Sequence, residues 1–393
     1  MTTIDLIYFN AGGGHRASAL ALEAAIAERG LPWTVRRVNL FEVLDPKDVY
    51  RRITGMGPED LYNRRLARGW TLGLTHELKV FQAMIRLAHP TLVRKLQQHW
   101  LRTEPDMVVS LIPNFNRALY QSLAASLPGV PYVTVLTDLA DLERSFWIES
   151  GQTQDFVCGT PKAVAQAQAK GHDASRVHAT SGMILNQGFH RAQVVDRQRE
   201  LLALGLDPER PVGLVMFGGQ GSRAMLGIAR RLRDTQLILM CGHNQALAAQ
   251  LRAQPAASPR AVIGFTPDVP HYMRLADFFI GKPGPGSISE ALHLGLPVIV
   301  VDNAWTMPQE RYNVEWVRAQ GVGIAVPGFR RIDRAVAQML ARLDEFRARV
   351  RRMDNHAAQE VPAILAAILQ RASVPDQTIG VQVGRELDLS LPR

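Results

Sequence analysis

The sequence is poor in cysteine and contains no long hydrophobic run. Its two cysteines, Cys158 and Cys241, exclude a disulfide framework and a four-cysteine zinc site, and each ends an apolar run typical of a buried, unreactive thiol. No run approaches the ~18 consecutive apolar residues that a membrane span needs, and the first residues lack the basic start of a secretory signal. We therefore expect a globular protein of the cytoplasm.

Positive charge is in excess, and it is unevenly distributed. The net charge is +9, and residues 47–102 alone contain 11 lysines and arginines against 4 acidic residues. Trp70, Phe81 and Trp100 lie among these basic residues. Such a zone can meet nucleic acid, a phosphorylated substrate or anionic lipid, or it can be a solvated helical face. Because no nucleic-acid-binding module is recognisable, we expect no nucleic-acid partner and favour contact with an anionic membrane surface.

Short apolar runs alternate with longer segments of helical period, which is the pattern of a parallel sheet built from βαβ units. Six strands are predicted in each half of the chain, at 3–10, 33–40, 106–111, 131–136, 155–158 and 176–180, and at 212–217, 236–241, 260–264, 277–281, 297–301 and 322–326. We therefore predict an α/β protein with two Rossmann-like, doubly wound parallel-sheet domains that face each other across a cleft.

The predicted boundaries follow from shifts in composition along the chain. In order they are a first domain at 1–185, a polar linker with a short helix at 186–210, a second domain at 211–330, C-terminal helices at 331–372 and a tail at 373–393. Within the C-terminal part, the sequence pattern predicts helices at 333–354 and 356–372.

A glycine-rich loop, Ala11-Gly12-Gly13-Gly14-His15, joins the first predicted strand to a helix. Glycine lets a ligand approach the helix N-terminus, where free N–H groups favour negative charge. A dinucleotide site would need an acid at the end of the second strand, where the chain has Val38-Asn39-Leu40. A tight turn with an incidental histidine is a further alternative. We favour His15 as a general base, because the helix dipole disfavours imidazolium and a neutral ring can accept a proton.

A second glycine-rich turn, Gly281-Lys282-Pro283-Gly284-Pro285-Gly286-Ser287, follows a predicted strand and opens a helix. It is not a Walker A loop, because proline follows Gly-Lys where serine or threonine is required. Its N–H groups nevertheless suit phosphates, and Lys282 adds a positive charge. Ser287 and Glu290 have the spacing of a helix-capping box, and Glu290 can alternatively hold the two vicinal hydroxyls of a ribose.

Three further motifs of the second half point to the same kind of ligand. Gly218-Gly219-Gln220-Gly221-Ser222 follows another strand and repeats the phosphate-binding pattern. Phe265 belongs either to the core or to an aromatic face that contacts a base. Gln309, Glu310 and Asn313 either start an ordinary polar helix or bind the hydroxyls of a sugar.

Taken together, these motifs resemble those of glycosyltransferase family 28, which includes MurG, monogalactosyldiacylglycerol synthases and processive diacylglycerol glucosyltransferases. Asn10 through Ala17 is similar to the signature of the diacylglycerol glycosyltransferases. In the second half, the family's order is followed by Cys241-Gly242-His243-Asn244, Gly264-Phe265, Gly284 through Ala291, and Pro308-Gln309-Glu310 with Asn313. The resemblance covers most of the chain.

The resemblance implies the GT-B fold, with an acceptor site in the first domain, a UDP-sugar site in the second, and a last helix that packs back on the first domain. For the acceptor side it implies the base His15 together with Gly13, Gly14 and Trp70. For the donor side it implies a ribose contact by Glu290, a uracil contact by Phe265, sugar contacts by Gln309 and Glu310, diphosphate contacts by Gly219 and Ser222, and further donor contacts at Gly218, Cys241, Asn244, Lys282, Gly284, Gly286, Ser287 and Asn313.

The implied reaction is the inverting transfer of a hexose from a UDP-sugar to a hydroxyl of a lipid such as diacylglycerol, at the inner face of the cell membrane. His15 would take the hydroxyl proton, and Asp138 would steady the resulting imidazolium ion. No D-x-D motif is present to hold a catalytic metal, so we expect no metal and no cofactor beyond the donor. A soluble acceptor, a UDP-sugar epimerase and a non-catalytic nucleotide-sugar-binding protein are the alternatives.

Overall fold

The computed structural model places every predicted strand in one of two parallel sheets. The structure describes residues 2–10, 13–55, 57, 74–142, 145–191, 195–304 and 306–373. Trp70, and the predicted tail beyond residue 373, lie outside these described residues. All twelve predicted strands are present, with ends within two residues of the predicted ones, and the α/β prediction is confirmed.

The first sheet has the strand order β2-β1-β3-β4-β5-β6, with all neighbours parallel. Its strands are β1 (Thr2–Tyr8), β2 (Trp33–Asn39), β3 (Met107–Ser110), β4 (Tyr132–Val135), β5 (Asp155–Cys158) and β6 (Val177–Ala179). Every residue of β3, β4 and β5 is buried, as expected of strands covered by helices on both faces. Because β1, β3 and β4 are parallel neighbours, the loops that follow them meet at one edge of the sheet.

The second sheet has the order β12-β11-β10-β7-β8-β9 and is also parallel throughout. Its strands are β7 (Val212–Met216), β8 (Gln236–Met240), β9 (Arg260–Ile263), β10 (Phe278–Gly281), β11 (Val298–Val301) and β12 (Gly323–Val326). The strands β7, β8 and β10 are buried at every position. The glycine-rich turns of the second half therefore follow adjacent strands and meet at the same edge.

Helices cover both sheets. Those that the structure describes are α1 (Gly14–Glu28), α2 (Leu40–Leu44), α3 (Val49–Thr54), α4 (Leu74–Thr103), α5 (Asn116–Ser126), α6 (Pro161–Ala169), α7 (Gln187–His190), α8 (Arg197–Ala203), α9 (Ala224–Arg231), α10 (Gln245–Arg252), α11 (Val269–Leu275), α12 (Pro285–His293), α13 (Arg311–Gln320), α14 (Ile332–Ala341), α15 (Leu343–Val350) and α16 (Ala357–Ser373). The predicted linker contains two short helices, α7 and α8, instead of one. The segment 333–354 is split into α14 and α15 because Arg342, with φ −128°, leaves the helical region.

The chain passes between the two lobes twice, and the two crossings lie side by side. The Asn355 side chain donates a hydrogen bond to the Met183 carbonyl (2.9 Å), and the His356 N–H donates to the Ser181 hydroxyl (2.7 Å). The last described helix, α16, packs on α1. It buries its apolar face in the core of the first lobe through Ala357, Ala358, Val361, Leu365 and Ile368.

Candidate active site

Loops at the carboxyl edge of the first sheet bring His15 to its contacts. His15 is the second residue of α1, and its Nδ1 lies 2.8 Å from the carbonyl oxygen of Leu111, after β3, and 3.1 Å from the hydroxyl of Thr137, after β4. Because a carbonyl oxygen only accepts, Nδ1 carries the proton and Nε2 keeps its lone pair. None of the residues that the structure describes forms a hydrogen bond with Nε2.

The surroundings of His15 keep the ring neutral. Burial lowers the pKa of His15 to about 4, although the hydrogen bond to Leu111 opposes this effect. Gly13 precedes the helix with φ +80°, a conformation that favours glycine, and the space where Gly13 and Gly14 would carry a Cβ is open. A neutral imidazole with a free lone pair beside open space favours the interpretation of His15 as a base.

Asp138 lies close to this group, but it does not pair with His15 in the predicted way. Its Oδ2 accepts a hydrogen bond from Trp147 Nε1 (2.8 Å), and the Trp147 ring lies 6.1 Å from the His15 ring, centroid to centroid. The hydrogen bonds of the His15 ring go to Leu111 and Thr137 instead. Trp147 therefore contacts Asp138 and lies near the His15 ring. No hydrogen bond joins Asp138 to His15 among the described residues, and the stabilisation of the imidazolium ion by Asp138 stays a prediction.

The second lobe contributes an ion pair between the half-buried Lys282 and the buried Glu310, and this pair acts on Asp138 across the cleft. Lys282 Nζ lies 2.9 Å from Glu310 Oε1, and the Glu310 side chain is buried. Burial raises the pKa of Asp138 to about 7, the Trp147 hydrogen bond opposes this, and among the smaller contributions Glu310 raises it and Lys282 lowers it. These electrostatic effects show that the predicted residues of the two lobes lie near each other.

The helix α12 begins differently from the predicted capping box. Its N-cap is Gly284, with no side-chain cap, and Pro285 is its first residue, so Ser287 lies inside the first turn. The capping alternative for Ser287 and Glu290 is therefore wrong. Burial alone raises the pKa of Glu290 to about 7, and none of the residues that the structure describes forms a hydrogen bond or ion pair with this carboxyl. The carboxyl oxygens of the half-buried Glu290 can therefore accept hydrogen bonds from a ligand.

The loop 218–222 is locked against the turn that follows β8. A Cβ on Gly242 would lie 2.1 Å from the Gly219 carbonyl oxygen, so only glycine fits there, and the His243 N–H donates to that oxygen (2.9 Å). Gly218 and Gly221 both have positive φ. The loop 218–222 and the turn after β8 thus brace each other at the carboxyl edge of the sheet.

Three predicted donor residues belong to this turn or to the elements beside it. The Cys241 thiol is buried in the core, and burial raises its pKa, so a donor contact by its side chain is excluded. Asn244 caps α10, its Oδ1 accepting from the Leu247 N–H (3.0 Å), and Ser222 Oγ accepts from the Ala224 N–H (3.2 Å). The apolar run before Cys241 already favoured a buried thiol.

Phe265 is exposed, so the alternative that placed it in the core is wrong. Its side chain is 62% exposed and stacks on the His243 ring, with centroids 3.9 Å apart and planes inclined by 18°. An exposed aromatic pair beside a glycine-rich turn offers a flat face for a base. Sequence reasoning quoted His243 within a motif but did not identify it as a site residue.

The turn Pro308–Glu310 and the start of α13 place the remaining predicted residues. Gln309 is half-buried, and its Nε2 lies 3.6 Å from the Met307 sulfur. Asn313 is completely buried and donates to the Pro283 carbonyl (2.8 Å), so it supports the loop of Lys282 and does not reach the cleft surface. A Cβ on Gly284 would lie 3.4 Å from Lys282 Cε and 3.6 Å from Glu310 Oε1, so the ion pair lies beside the start of α12.

A polar cavity of about 320 Å³ lies in the first lobe, next to the loops that contact His15. It is lined by Gln82, Ile85, Arg86, His89, Asn114, Arg117, Ala118, Ser145 and Glu149. Asn114 and Ser145 have positive φ values of 69° and 58°, which are uncommon for residues other than glycine. Sequence reasoning did not identify this cavity, because its lining comes from three distant segments.

One face of α4 leaves apolar side chains in solvent. Val80, Met84 and Leu87 are exposed at helical spacing, and Leu87 is 84% exposed. The predicted interfacial role of Trp100 is wrong, because its side chain is completely buried and donates to the Ser122 hydroxyl (2.8 Å). Phe81 packs against Phe115, with ring centroids 6.0 Å apart.

The described residues contain neither a membrane-spanning helix nor a metal-binding cluster. No helix in the described part of the chain combines the length and the hydropathy needed to cross a membrane. Within the same residues, no cluster of three or more His, Cys, Asp or Glu side chains is arranged to hold a metal ion.

Solved structures with this architecture define the fold class of the protein as GT-B. MurG from Acinetobacter baumannii superimposes with a TM-score of 0.59 at 12% identity, over 93% of this chain and 100% of that one. The calicheamicin glycosyltransferase CalG4 superimposes with a TM-score of 0.62 at 17% identity, over 95% of this chain and 100% of that one. These likenesses concern the fold, and they confirm the GT-B prediction.

Sequence comparison identifies the family. Residues 214–368 match the glycosyltransferase family 28 C-terminal domain. A probable chloroplastic monogalactosyldiacylglycerol synthase 2 of Oryza sativa subsp. japonica is 28% identical over 365 residues, which is 86% of this chain and 72% of that protein. The likeness to glycosyltransferase family 28 that the sequence motifs predicted is confirmed.

Proposed function

We propose that this enzyme transfers a hexose from a UDP-sugar to a hydroxyl group of a lipid acceptor such as diacylglycerol, with inversion at the anomeric carbon. The observation that carries the proposal is the neutral His15 ring, whose Nε2 lone pair is used by none of the described residues while its Nδ1 proton is held by Leu111. The relatives support the lipid acceptor, since the rice protein named above is a probable monogalactosyldiacylglycerol synthase.

In the proposed reaction the acceptor hydroxyl gives its proton to His15 Nε2 as its oxygen attacks the anomeric carbon. The bond between that carbon and the diphosphate breaks, and its electron pair leaves with UDP. Lys282 and the backbone N–H groups at the start of α12 meet the charge that develops on the diphosphate. Glu290 holds the ribose hydroxyls, and Phe265 with His243 covers the uracil.

The site residues of the second lobe support this arrangement of the donor. The loop 218–222, the start of α12 and the turn Pro308–Glu310 all follow neighbouring parallel strands, so a nucleotide-sugar can contact them together. Gln309 and Glu310 then bind the sugar hydroxyls, with Glu310 oriented by Lys282.

The acceptor side of the proposal rests on the first lobe. The cavity beside Asn114 and Ser145 lies next to the loops that hold His15, and the exposed face of α4 flanks it through Arg86. An apolar face with basic neighbours suits a membrane surface, where each basic side chain near anionic lipid contributes about 1 kcal/mol. We therefore expect peripheral contact with anionic membrane, at the inner face of the cell membrane.

The decisive test incubates the protein with a panel of UDP-sugars and lipid extracts, followed by mass spectrometry of the products. The proposal expects a glycolipid product in the presence of both substrates and UDP release that depends on the acceptor. Isomerisation of the donor without acceptor would identify an epimerase instead. Binding of UDP without any turnover would identify a non-catalytic nucleotide-sugar-binding protein, and glycosylation of soluble acceptors alone would exclude the lipid.

Membrane contact has its own test, the sedimentation of the protein with vesicles that contain or lack anionic lipid. We expect stronger binding to the anionic vesicles and a several-fold loss in Leu87→Ser. Leu202→Ser is the matched control, because Leu202 is also exposed (59%) but lies on α8, far from α4 in sequence. Equal binding to neutral and anionic vesicles, or equal losses in the two variants, would remove this part of the proposal.

A further inference from the structure

Asn116, the first residue of α5, is buried and uses all four hydrogen bonds that a side-chain amide can form. Its Oδ1 accepts from the hydroxyls of Ser110 and Tyr132, both at 2.7 Å. Its Nδ2 donates to the carbonyls of Ile112 (3.1 Å) and Trp147 (2.9 Å). Since the two carbonyls can only accept, the orientation of the amide is determined.

The two carbonyls belong to the two loops that contact the candidate base. One lies on the residue directly after Leu111, whose own carbonyl holds the Nδ1 proton of His15. The other lies on Trp147, whose ring approaches the imidazole and whose Nε1 donates to Asp138. One buried amide therefore joins both loops, although the hydrogen bonds of Asn116 itself do not include His15.

We propose that Asn116 is a positioning residue that sets the tautomer of His15. This inference rests on the proposed function, in which His15 acts as the base. The Leu111 carbonyl keeps the proton on Nδ1 only while its peptide plane faces the ring, and Asn116 restrains the adjacent peptide. When that restraint is lost, the carbonyl can turn away and the tautomer with the proton on Nε2 gains population. In that tautomer Nε2 has no lone pair to take the acceptor's proton.

The inference also explains why an amide occupies this buried position. A hydrophobic side chain would leave the Trp147 carbonyl and the Tyr132 hydroxyl without the bonds that Asn116 supplies, whereas the Ser110 hydroxyl could still donate to the Ile112 carbonyl (3.3 Å). A carboxylate would place acceptor against acceptor at the Ile112 and Trp147 carbonyls. Only a group with two N–H donors and one oxygen that accepts two hydrogen bonds satisfies all four neighbours. Asn116→Asp keeps the shape of the side chain, replaces its two donors with an acceptor and adds an ionisable group, a change that the Gln154→Glu control shares.

The test compares wild type with Asn116→Asp by ¹⁵N NMR of the His15 ring, assigned by its loss in His15→Ala, and by steady-state kinetics. We expect a single tautomer with protonated Nδ1 in wild type and a mixture in the variant. We expect kcat to fall by about 10- to 100-fold, as for other small displacements of catalytic groups. The KM for the donor should stay within about twofold of wild type, because the donor residues lie in the other lobe.

Two variants in the same lobe are matched controls for a purely structural effect. Gln154→Glu makes the same amide-to-acid change at a buried residue whose partners are the Thr134 hydroxyl and the Gln152 side chain. Tyr132→Phe removes one bond to Asn116 but leaves both loop carbonyls paired. Both should lower the melting temperature and leave kcat and the His15 tautomer as in wild type.

The proposal is overturned if folded Asn116→Asp retains the Nδ1-protonated tautomer, or if its kcat falls no further than that of Gln154→Glu. Should Asn116→Asp fail to fold, Asn116→Ser, which also removes the ties to both loops, decides by the same two readouts. The NMR result does not need turnover, so absence of transfer in wild type would refute the proposed function and leave the tautomer result standing on its own.

Discussion

The two lobes hold their candidate groups in different ways. In the second lobe, short glycine-rich turns carry the groups and are rigid through their own backbone contacts, as at Gly242 against Gly219. In the first lobe, His15 depends on a carbonyl and a hydroxyl that lie 96 and 122 residues further along the chain. Short sequence motifs can therefore point to the candidate donor groups. The contacts of the candidate base His15, in contrast, form only when the chain folds. Variants should separate the two lobes into effects on donor affinity and effects on the rate of transfer.

The largest effect should come from the base. We expect His15→Ala to lower kcat by about 10²- to 10⁴-fold, because proton transfer by a positioned group contributes that much. UDP affinity, measured by calorimetry, should stay within about twofold of wild type, because no donor residue of the second lobe is altered. His271→Ala on α11 is the control for loss of an imidazole elsewhere. A His15→Ala enzyme with nearly full activity would mean that the first lobe does not supply the base.

Glu290→Gln should lower the affinity for UDP, which His15→Ala leaves unchanged. Removing the charge of an acceptor that binds two hydroxyls should weaken UDP binding by about 10- to 100-fold in calorimetry. Glu315→Gln, an exposed carboxyl on α13, should leave binding unchanged. If both variants bind UDP as wild type does, Glu290 does not contact the ribose.

The same variant should be more stable than wild type above neutral pH. Folding raises the pKa of Glu290 to about 7, so the stability linked to its protonated form is present near pH 4 and is lost as the pH rises through 7. Glu290→Gln removes this loss, and its melting temperature should exceed that of wild type at pH 8 but not at pH 4. Equal melting temperatures at both pH values would contradict a desolvated carboxyl.

Phe265→Ala should have a smaller effect on the donor side. Stacking of a base on an aromatic ring contributes about 1–3 kcal/mol, so we expect UDP to bind about tenfold more weakly. Phe265→Tyr keeps the ring on His243 and should bind UDP as wild type does. Because the side chain is exposed, neither variant should lose stability. A comparable loss of affinity in both variants would show that the ring is not a stacking face.

The fold was predictable because twelve apolar runs, spaced by helical segments, allow little besides two parallel sheets. For the candidate site, the sequence singled out residues where chemistry and spacing coincide, as at Lys282, Glu290 and Phe265, whose roles stay predictions. The site was not predictable where contacts are made by backbone groups or by buried amides. Nothing in the sequence marks the Leu111 carbonyl or Asn116, and the apparent capping box at Ser287 failed because Pro285 can start the helix earlier. Trp100 looked interfacial among basic residues but lies on the buried side of α4.

Asp138 gives the smallest and the most specific prediction, since both lobes act on it. Its pKa lies near 7, so its charge appears between about pH 6 and pH 8. Asp138→Asn keeps an acceptor for Trp147 Nε1 and removes only that charge. We expect kcat to fall several-fold at pH 8, where wild type has an anion that stabilises the imidazolium ion of His15, and to change little at pH 6, where the wild-type carboxyl is already protonated. A kcat ratio that is the same at both pH values would mean that Asp138 acts only by holding Trp147, and the contribution of the first lobe would then reduce to His15 and its two loops.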